Sequence, residues 1–146
     1  MHSFLPYIVF ALTMHVQQAA VSQENAHVRF EIRLASVTLQ PGTTGEIALT
    51  LTPNEGIHIN TDPAPEFEFE KNSFVHPVGI TSLPKNEKTG YLDATQPVKY
   101  SFALGKNVPN RKYVLKGTVR YFFCSDAEGW CNRFVQPFEL RYTVTR

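Results

Sequence analysis

Apolar and polar residues alternate with a period of two along most of the chain after residue 27. Such alternation is typical of β-strands that bury one face and expose the other. Short stretches rich in proline and glycine interrupt the pattern and indicate turns. The segments with the clearest pattern, which we predict to be strands, are residues 28–34, 47–51, 67–69, 74–80, 98–104, 113–123 and 138–144.

The segments between these strands support an all-β domain. Pro41–Gly45 has the composition of a turn, and we expect the strands on either side of it to pair as an antiparallel hairpin. Prolines within residues 61–65 predict a stiff extended connection, because each keeps its predecessor out of the helical region. Pro137 predicts a bulge or a sheet edge near the start of the last strand. The whole pattern predicts an immunoglobulin-like antiparallel β-sandwich of about seven to nine strands.

The N-terminus carries an uncharged apolar run, Phe4–Met14. This run is too short to span a bilayer as a helix and has the length of the apolar part of a secretory signal, although no lysine or arginine precedes it. Ala20 and Ser22 supply small residues at the −3 and −1 positions of a cleavage after Ser22. We therefore predict a signal peptide at 1–22, a periplasmic or secreted location, and a single domain at 23–146. The alternative is that these residues pack as an N-terminal element of the fold.

Composition narrows the function classes further. The chain has 14 lysines and arginines against 13 aspartates and glutamates, with the two signs interspersed. A nucleic-acid-binding protein would normally carry a basic stripe, so we expect no nucleic-acid partner. No second long apolar segment follows the N-terminal run, so we expect no membrane span in the mature chain. A domain of this size can bury a core without cross-links.

Both cysteines lie in residues 121–133, together with the only tryptophan and three further aromatic residues. A predicted strand enters this stretch and another leaves it, which predicts a hairpin tip or a tight connection between strands. Cys124 and Cys131 are close enough in sequence to form a disulfide. An even number of cysteines in an exported chain favours that pairing. The immunoglobulin pattern of distant cysteines that bridge two sheets is absent.

Spacing alone leaves three roles for the cysteine pair open. A structural disulfide that closes a loop of about eight residues would contribute roughly 2.5 kcal/mol in the chain-entropy model. A redox couple would need an accessible sulfur and a geometry that tolerates both states. Charge alone does not decide this role. Asp126 and Glu128 would raise the pKa of a nearby thiol, whereas Arg133 would lower it. A metal site would have to recruit histidines from distant strands, namely His27, His58 and His76.

Hydrolytic chemistry has little support in the sequence. No Gly-x-Ser-x-Gly motif is present, and the acidic residues and histidines follow the strands without catalytic spacing. The three glutamates that alternate with phenylalanines in residues 66–70 are interpreted as a solvated strand face. His58 is interpreted as a surface or hairpin histidine rather than a base.

The cysteine stretch resembles the periplasmic N-terminal domain of the DsbD thiol:disulfide interchange family. In that family an aromatic strand end runs into a cysteine, a few residues with aspartate and glycine, an aromatic residue and a second cysteine. Here the corresponding stretch is Tyr-Phe-Phe-Cys-Ser-Asp-Ala-Glu-Gly-Trp-Cys, residues 121–131. A second match, Gly56–Pro63, is similar to a Gly-aromatic-His-hydrophobic-Asn turn in related sequences. Weak similarity extends over residues 27–144, and these two stretches are its specific parts.

The resemblance implies an immunoglobulin-like sandwich whose cysteine pair relays electrons. Cys131 would form the mixed disulfide with partners, and Cys124 would be the resolving thiol. The family shields its disulfide with an aromatic cap loop, which has no clean counterpart here; the candidates are Phe67, Phe69 and Tyr91. Six residues separate the two cysteines, one more than in the best-known members. The membrane-embedded and thioredoxin-like domains of the full reductases are not in this sequence, so we expect a separate thioredoxin-like or membrane-bound reductase as partner.

Two hypotheses result. In the first, the protein is a periplasmic thiol–disulfide exchange module with no cofactor or metal, and its catalytic pair is Cys124 and Cys131. Trp130 and Phe123 would flank the sulfurs and supply apolar contact area, with support from further residues of the same stretch, Tyr121 and Asp126. In the second, the protein is a secreted binding module without catalytic activity, and its disulfide fixes one loop.

Overall fold

The computed structural model describes residues 23–71 and 74–146. The predicted signal peptide lies outside these residues. The described chain forms strands connected by turns and loops, with no helix, as predicted. The strands are β1 (Val28–Leu34), β2 (Thr38–Leu39), β3 (Thr44–Pro53), β4 (Ile57–Ile59), β5 (Glu66–Phe69), β6 (Val75–Ser82), β7 (Val98–Leu104), β8 (Lys112–Ser125) and β9 (Trp130–Val144).

The strands form two sheets that pack as a β-sandwich, which confirms the predicted fold class. One sheet has the order β1-β3-β7-β6, and the other has the order β2-β9-β8-β4, with β5 also paired to β8. The expected hairpin forms, since β1 pairs with β3 in antiparallel register from Val28 opposite Pro53 to Leu34 opposite Ile47. Among the described residues no helix is long and apolar enough to cross a membrane.

One pairing departs from the antiparallel prediction, because β2 runs parallel to β9. The two strands lie about a hundred residues apart in sequence, so no hairpin joins them and no turn fixes their relative direction. β2 is only two residues long, and its apolar pattern is too short to have predicted a strand.

The core lies between the two sheets and takes alternate side chains from strands such as β1, β8 and β9. Its largest fully buried residues come from both sheets, and include Tyr121, Phe102, Leu49 and Leu115. The hairpin that carries the cysteines supplies core residues along both of its strands, including Tyr121 and Leu140, so its body is part of the fold.

Two of the three prolines within strands lie at sheet edges, where a missing N–H is tolerated, and the third, Pro53, is the last residue of β3. Pro77 is on β6, next to a shift in the register between β6 and β7. Pro137 is on β9, which has β8 on one side and meets β2 only at Thr143 and Val144. The prediction of a sheet edge at Pro137 is therefore confirmed, although β8 and β9 stay in register through this position without a bulge.

Candidate functional site

The cysteine pair lies at the tip of the long β8–β9 hairpin. The hairpin stays in continuous register from Lys112 opposite Thr143 to Ser125 opposite Trp130, and Cys124 is directly opposite Cys131. A turn of four residues closes it, with Gly129 at a φ of 71° and its N–H donating to the Ser125 carbonyl at 2.9 Å. Only glycine adopts that φ without a steric cost. The hairpin predicted from the sequence is confirmed.

Cys124 and Cys131 form a disulfide, with their Cα atoms 4.1 Å apart. Directly opposite residues that do not exchange backbone hydrogen bonds lie this close in antiparallel pairs. The two cysteines differ in solvent exposure. Cys124 is 4% exposed, whereas Cys131 is an exposed residue. An attacking thiolate therefore has access to the disulfide from the Cys131 side.

The buried sulfur lies beside polar groups from β4. His58 on β4 is directly opposite Cys124 on β8, so His58, Cys124 and Cys131 form one row on the same face of the sheet. The Oδ1 atom of Asn60 lies 3.6 Å from the Cys124 Sγ. A disulfide sulfur carries no hydrogen, so this approach is a van der Waals contact in the oxidised form. After reduction the same approach allows the thiol to donate a weak hydrogen bond to Asn60.

A small polar cluster covers His58 and connects three segments of the chain. The Tyr91 ring stacks on the His58 ring, with centroids 3.6 Å apart and an interplanar angle of 11°. The Tyr91 hydroxyl donates to Asp126 Oδ2 at 3.3 Å, and His58 Nδ1 lies 3.5 Å from the same oxygen. Desolvation raises the pKa of Tyr91 above its ordinary value, and the charge and hydrogen bond of Asp126 raise it further. The 84–95 loop, β4 and the hairpin turn therefore meet beside the cysteine pair.

The aromatic residues expected beside the sulfurs lie on the other face of the hairpin. Phe123 and Trp130 each precede a cysteine, and neighbouring side chains in a strand point to opposite faces. Their rings contact each other and that of His27, with centroid distances of 5.8 Å for Phe123–Trp130 and 5.3 Å for His27–Trp130. Tyr121 is fully buried on the same inner face and accepts a hydrogen bond from Asn25 Nδ2 at 3.1 Å. These aromatic rings pack against the core-facing side of the hairpin.

The three cap candidates lie in two places. Phe67 and Phe69 on β5 pack between the sheets, where both contact Tyr100, with centroids 4.4 Å and 5.5 Å away. The register of β5 places Phe67 opposite Val119, five residues before Cys124 on β8. Tyr91 lies on the outer face beside the row that contains the cysteines. Of the three candidates, Tyr91 is therefore the one whose position suits a cap.

His58 and Asn60 are the neighbours that the sequence interpretation missed. His58 was interpreted as a surface or hairpin histidine, but only 14% of its side chain is exposed, and it is opposite Cys124. The signal that could have identified it is the second matched stretch, Gly56–Pro63, which contains both residues. The described residues contain no group of three histidine, cysteine, aspartate or glutamate side chains that could hold a metal ion.

No protein-family model and no curated protein matches the chain. Among solved structures, the ZirS C-terminal Domain is similar to it, with a TM-score of 0.36 and 10% sequence identity. That likeness covers 100% of this chain and 86% of the other. A similarity this low carries no inference about function.

Proposed function

We propose that the protein is a thiol–disulfide exchange module that relays electrons through Cys124 and Cys131 to or from thioredoxin-like or membrane-bound partners. A periplasmic or secreted location belongs to the same proposal and is supported by the signal-like N-terminal sequence. The observation that carries the proposal is the unequal exposure of the two disulfide-bonded cysteine residues at the tip of a hairpin. Exchange requires one sulfur that a partner can reach.

The unequal exposure supports separate roles for the two cysteines, with Cys131 as the one that partners attack. A partner thiolate attacks Cys131 Sγ, the bond between Cys131 and Cys124 breaks, and Cys124 leaves as a thiolate that takes a proton. A second partner thiolate then attacks the mixed disulfide, which releases Cys131 and leaves the partner oxidised. In the reverse direction, the Cys131 thiolate attacks an oxidised partner and Cys124 resolves the mixed disulfide. Two electrons move in each case, and no cofactor is needed.

The surroundings of Cys124 are compatible with both redox states. The leaving sulfur is released beside Asn60 and in the same row as His58, so polar groups are available to a thiol or thiolate. The hairpin is paired over 14 residue pairs, so we expect its backbone to stay paired when the disulfide is reduced. Both features favour an exchange site over a disulfide that serves only to fix a loop.

The decisive experiment is the redox midpoint of the Cys124–Cys131 pair. Purified protein is equilibrated in graded dithiothreitol or glutathione buffers, and alkylated thiols are counted by mass spectrometry. We expect a midpoint in the range of known exchange proteins, roughly −120 to −270 mV. A midpoint below about −300 mV would identify a structural disulfide and support the binding module instead.

A trapping experiment tests the assignment of the two cysteines. In the full chain, Cys124→Ala should accumulate mixed disulfides through Cys131, because the resolving thiol is missing. The matched variant Cys131→Ala should accumulate far fewer, since its remaining sulfur is buried. Equal trapping by both variants would contradict the assignment, and no adducts with either would contradict the proposed exchange.

A further inference from the structure

Half of the backbone N–H and C=O groups of β9 point away from β8. The hydrogen bonds at the C-terminal end of β9 show which residues these are. The Thr143 N–H donates to the Val37 carbonyl at 2.8 Å, on the side away from β8. The Val144 N–H donates to the Arg111 carbonyl at 2.9 Å, on the other side. The register to β8 has no shift, and the direction of the N–H group alternates along a strand. The backbone N–H and C=O groups of the odd-numbered residues of β9 therefore point away from β8, in the plane of the sheet.

Near the hairpin tip, the backbone N–H and C=O groups that point away from β8 belong to Cys131, Arg133 and Val135. No described residue forms a backbone hydrogen bond with them, since the pairing with β2 is confined to Thr143 and Val144. Pro137, the next outward position, has no N–H to offer. Pro137 thus ends the row of outward N–H groups that begins at the exposed cysteine. Unpaired edge groups of this kind are a template for an added strand.

The same edge of β9 already accepts an added strand further along. β2 occupies it through the bonds from Thr143 to Val37 and from Thr145 to Leu39, the latter at 3.0 Å. β2 is only two residues long and is held there by its edge bonds together with the buried side chain of Leu39. The tip of β9 has the same type of edge and carries the accessible sulfur.

We propose that the open edge of β9 from Cys131 to Val135 binds an extended, cysteine-bearing segment of a redox partner as an added strand. The inference rests on the proposed function and goes further, because it states that the partner cysteine lies in an extended segment. A partner residue opposite Cys131 in such a pair lies within the Cα–Cα range of a disulfide, about 4.4–6.8 Å. Main-chain hydrogen bonds hold the segment whatever its sequence, as in strand addition to other sheet edges.

Charge on the outer face indicates what the partner segment carries beside its cysteine. Arg133 is exposed two residues from Cys131, on the same face of β9, and has no ion-pair partner among the described residues. A carboxylate two positions from the partner cysteine would meet this guanidinium. The occupant is therefore an extended segment with a cysteine and an acidic residue in an alternating pattern.

Amide hydrogen exchange tests the added strand directly. The full chain carrying Cys124→Ala is joined through Cys131 to a thiopyridyl-activated nine-residue peptide of alternating valine and threonine. The peptide has a central cysteine and a glutamate two residues from it. Exchange at the Arg133 and Val135 amides should slow about tenfold or more relative to an adduct with mercaptoethanol. The inward amides of Asn132 and Phe134 already face β8 and should change little.

Two outcomes of this measurement would overturn the inference. If the Arg133 and Val135 amides exchange equally in both adducts, the peptide is held by its sulfur alone. If these amides are already protected in the mercaptoethanol adduct, another part of the chain covers the edge. The activated peptide forms the adduct whatever the redox midpoint is, so the docking test and the test of the proposed function fail independently.

A pair of variants gives a second test. Val135→Pro removes one outward N–H, as Pro137 does two residues later, whereas Val135→Thr keeps it with a similar side-chain shape. Val135→Pro should reduce the rate of exchange with the cysteine peptide about tenfold, and Val135→Thr should not. Reduction by dithiothreitol, which needs no strand pairing, should be the same in both. Equal peptide rates in both variants would contradict the added strand.

Discussion

The two cysteines are chemically identical, and their different surroundings follow from the strands beside each. Cys124 lies on β8 between β4 and β9 and is buried by neighbours on both sides, whereas Cys131 lies on the open side of β9. The sequence predicted the pair and its hairpin. The neighbours of Cys124 were not predictable, because the pairing of β4 with β8 joins residues more than sixty positions apart.

His58 provides the first prediction at the residue scale. Its imidazole is in the same row as Cys124, and we expect it to supply a proton or hydrogen bond to the departing thiolate. In His58→Gln, reduction of the disulfide by dithiothreitol at pH 7 should slow by about an order of magnitude, at the low end of the effect of general acids. Stopped-flow tryptophan fluorescence measures the rate. The control is His76→Gln, an exposed histidine on the other sheet, and equal rates in both variants would contradict the role of His58.

The Tyr91–Asp126 contact provides a second prediction. Desolvation and then the Asp126 carboxylate raise the pKa of Tyr91, because both disfavour the phenolate. Asp126→Asn removes the charge, so the pKa of Tyr91 should fall towards its ordinary value and stay somewhat above it. Titration of the tyrosine ring signals by NMR, with Tyr91→Phe to identify the resonance, checks this. An unchanged pKa would show that Asp126 does not act on the tyrosine in solution.

At the scale of elements, β8 organises the five-stranded sheet, since it pairs with β9, β4 and β5. Period-two alternation predicted this strand well, and its observed range, Lys112–Ser125, extends the predicted one by a few residues. The short strands were harder to predict. β2 has two residues and β4 has three, so neither has enough alternation to be distinguished from a turn by pattern alone.

A glycine in β8 provides the third prediction. A Cβ added at Gly117 would lie 2.3 Å from the Glu68 carbonyl oxygen and 2.9 Å from the Phe138 ring. Gly117→Ala should therefore displace β5 and lower the free energy of unfolding by about 1–3 kcal/mol, the usual cost of overpacking. Urea denaturation measures the change. Gly105→Ala is the matched control, because its nearest contacts, at 3.6 Å, are ordinary. If the two variants are equally stable, β5 does not approach Gly117 as closely as the structure indicates.

At the scale of the whole molecule, a core drawn from both sheets holds the sandwich together. Its residues include side chains of β1, β3 and β7 on one sheet and of β8 and β9 on the other. The cysteine hairpin is part of this body, and its tip is held by the pairing of β4 with β8 beside Cys124. Because this core does not include the disulfide, we expect the domain to fold in both redox states.

The fourth prediction concerns stability in the two redox states. The reduced protein should stay folded and unfold cooperatively, with a free energy of unfolding lower than that of the oxidised form by no more than about 2.5 kcal/mol, the loop-closure contribution. Calorimetry with and without dithiothreitol measures this, and the reductant has no other target, since the chain has two cysteines. The Cys124→Ala/Cys131→Ala variant, which should not respond to dithiothreitol, is the control. Loss of the cooperative transition on reduction would identify the disulfide as a structural cross-link.

The sequence by itself determined the strand pattern, the all-β fold class and the cysteine hairpin. These depend on alternation, turn residues and spacing, which are local properties of the chain. Only the tertiary structure decided which sulfur is exposed, which residues surround the buried one, and which edge of β9 is open. It also placed Phe123 and Trp130 on the inner face and Tyr91 on the outer one. Those features depend on pairing between distant strands, and hydrophobic alternation does not specify which strand pairs with which.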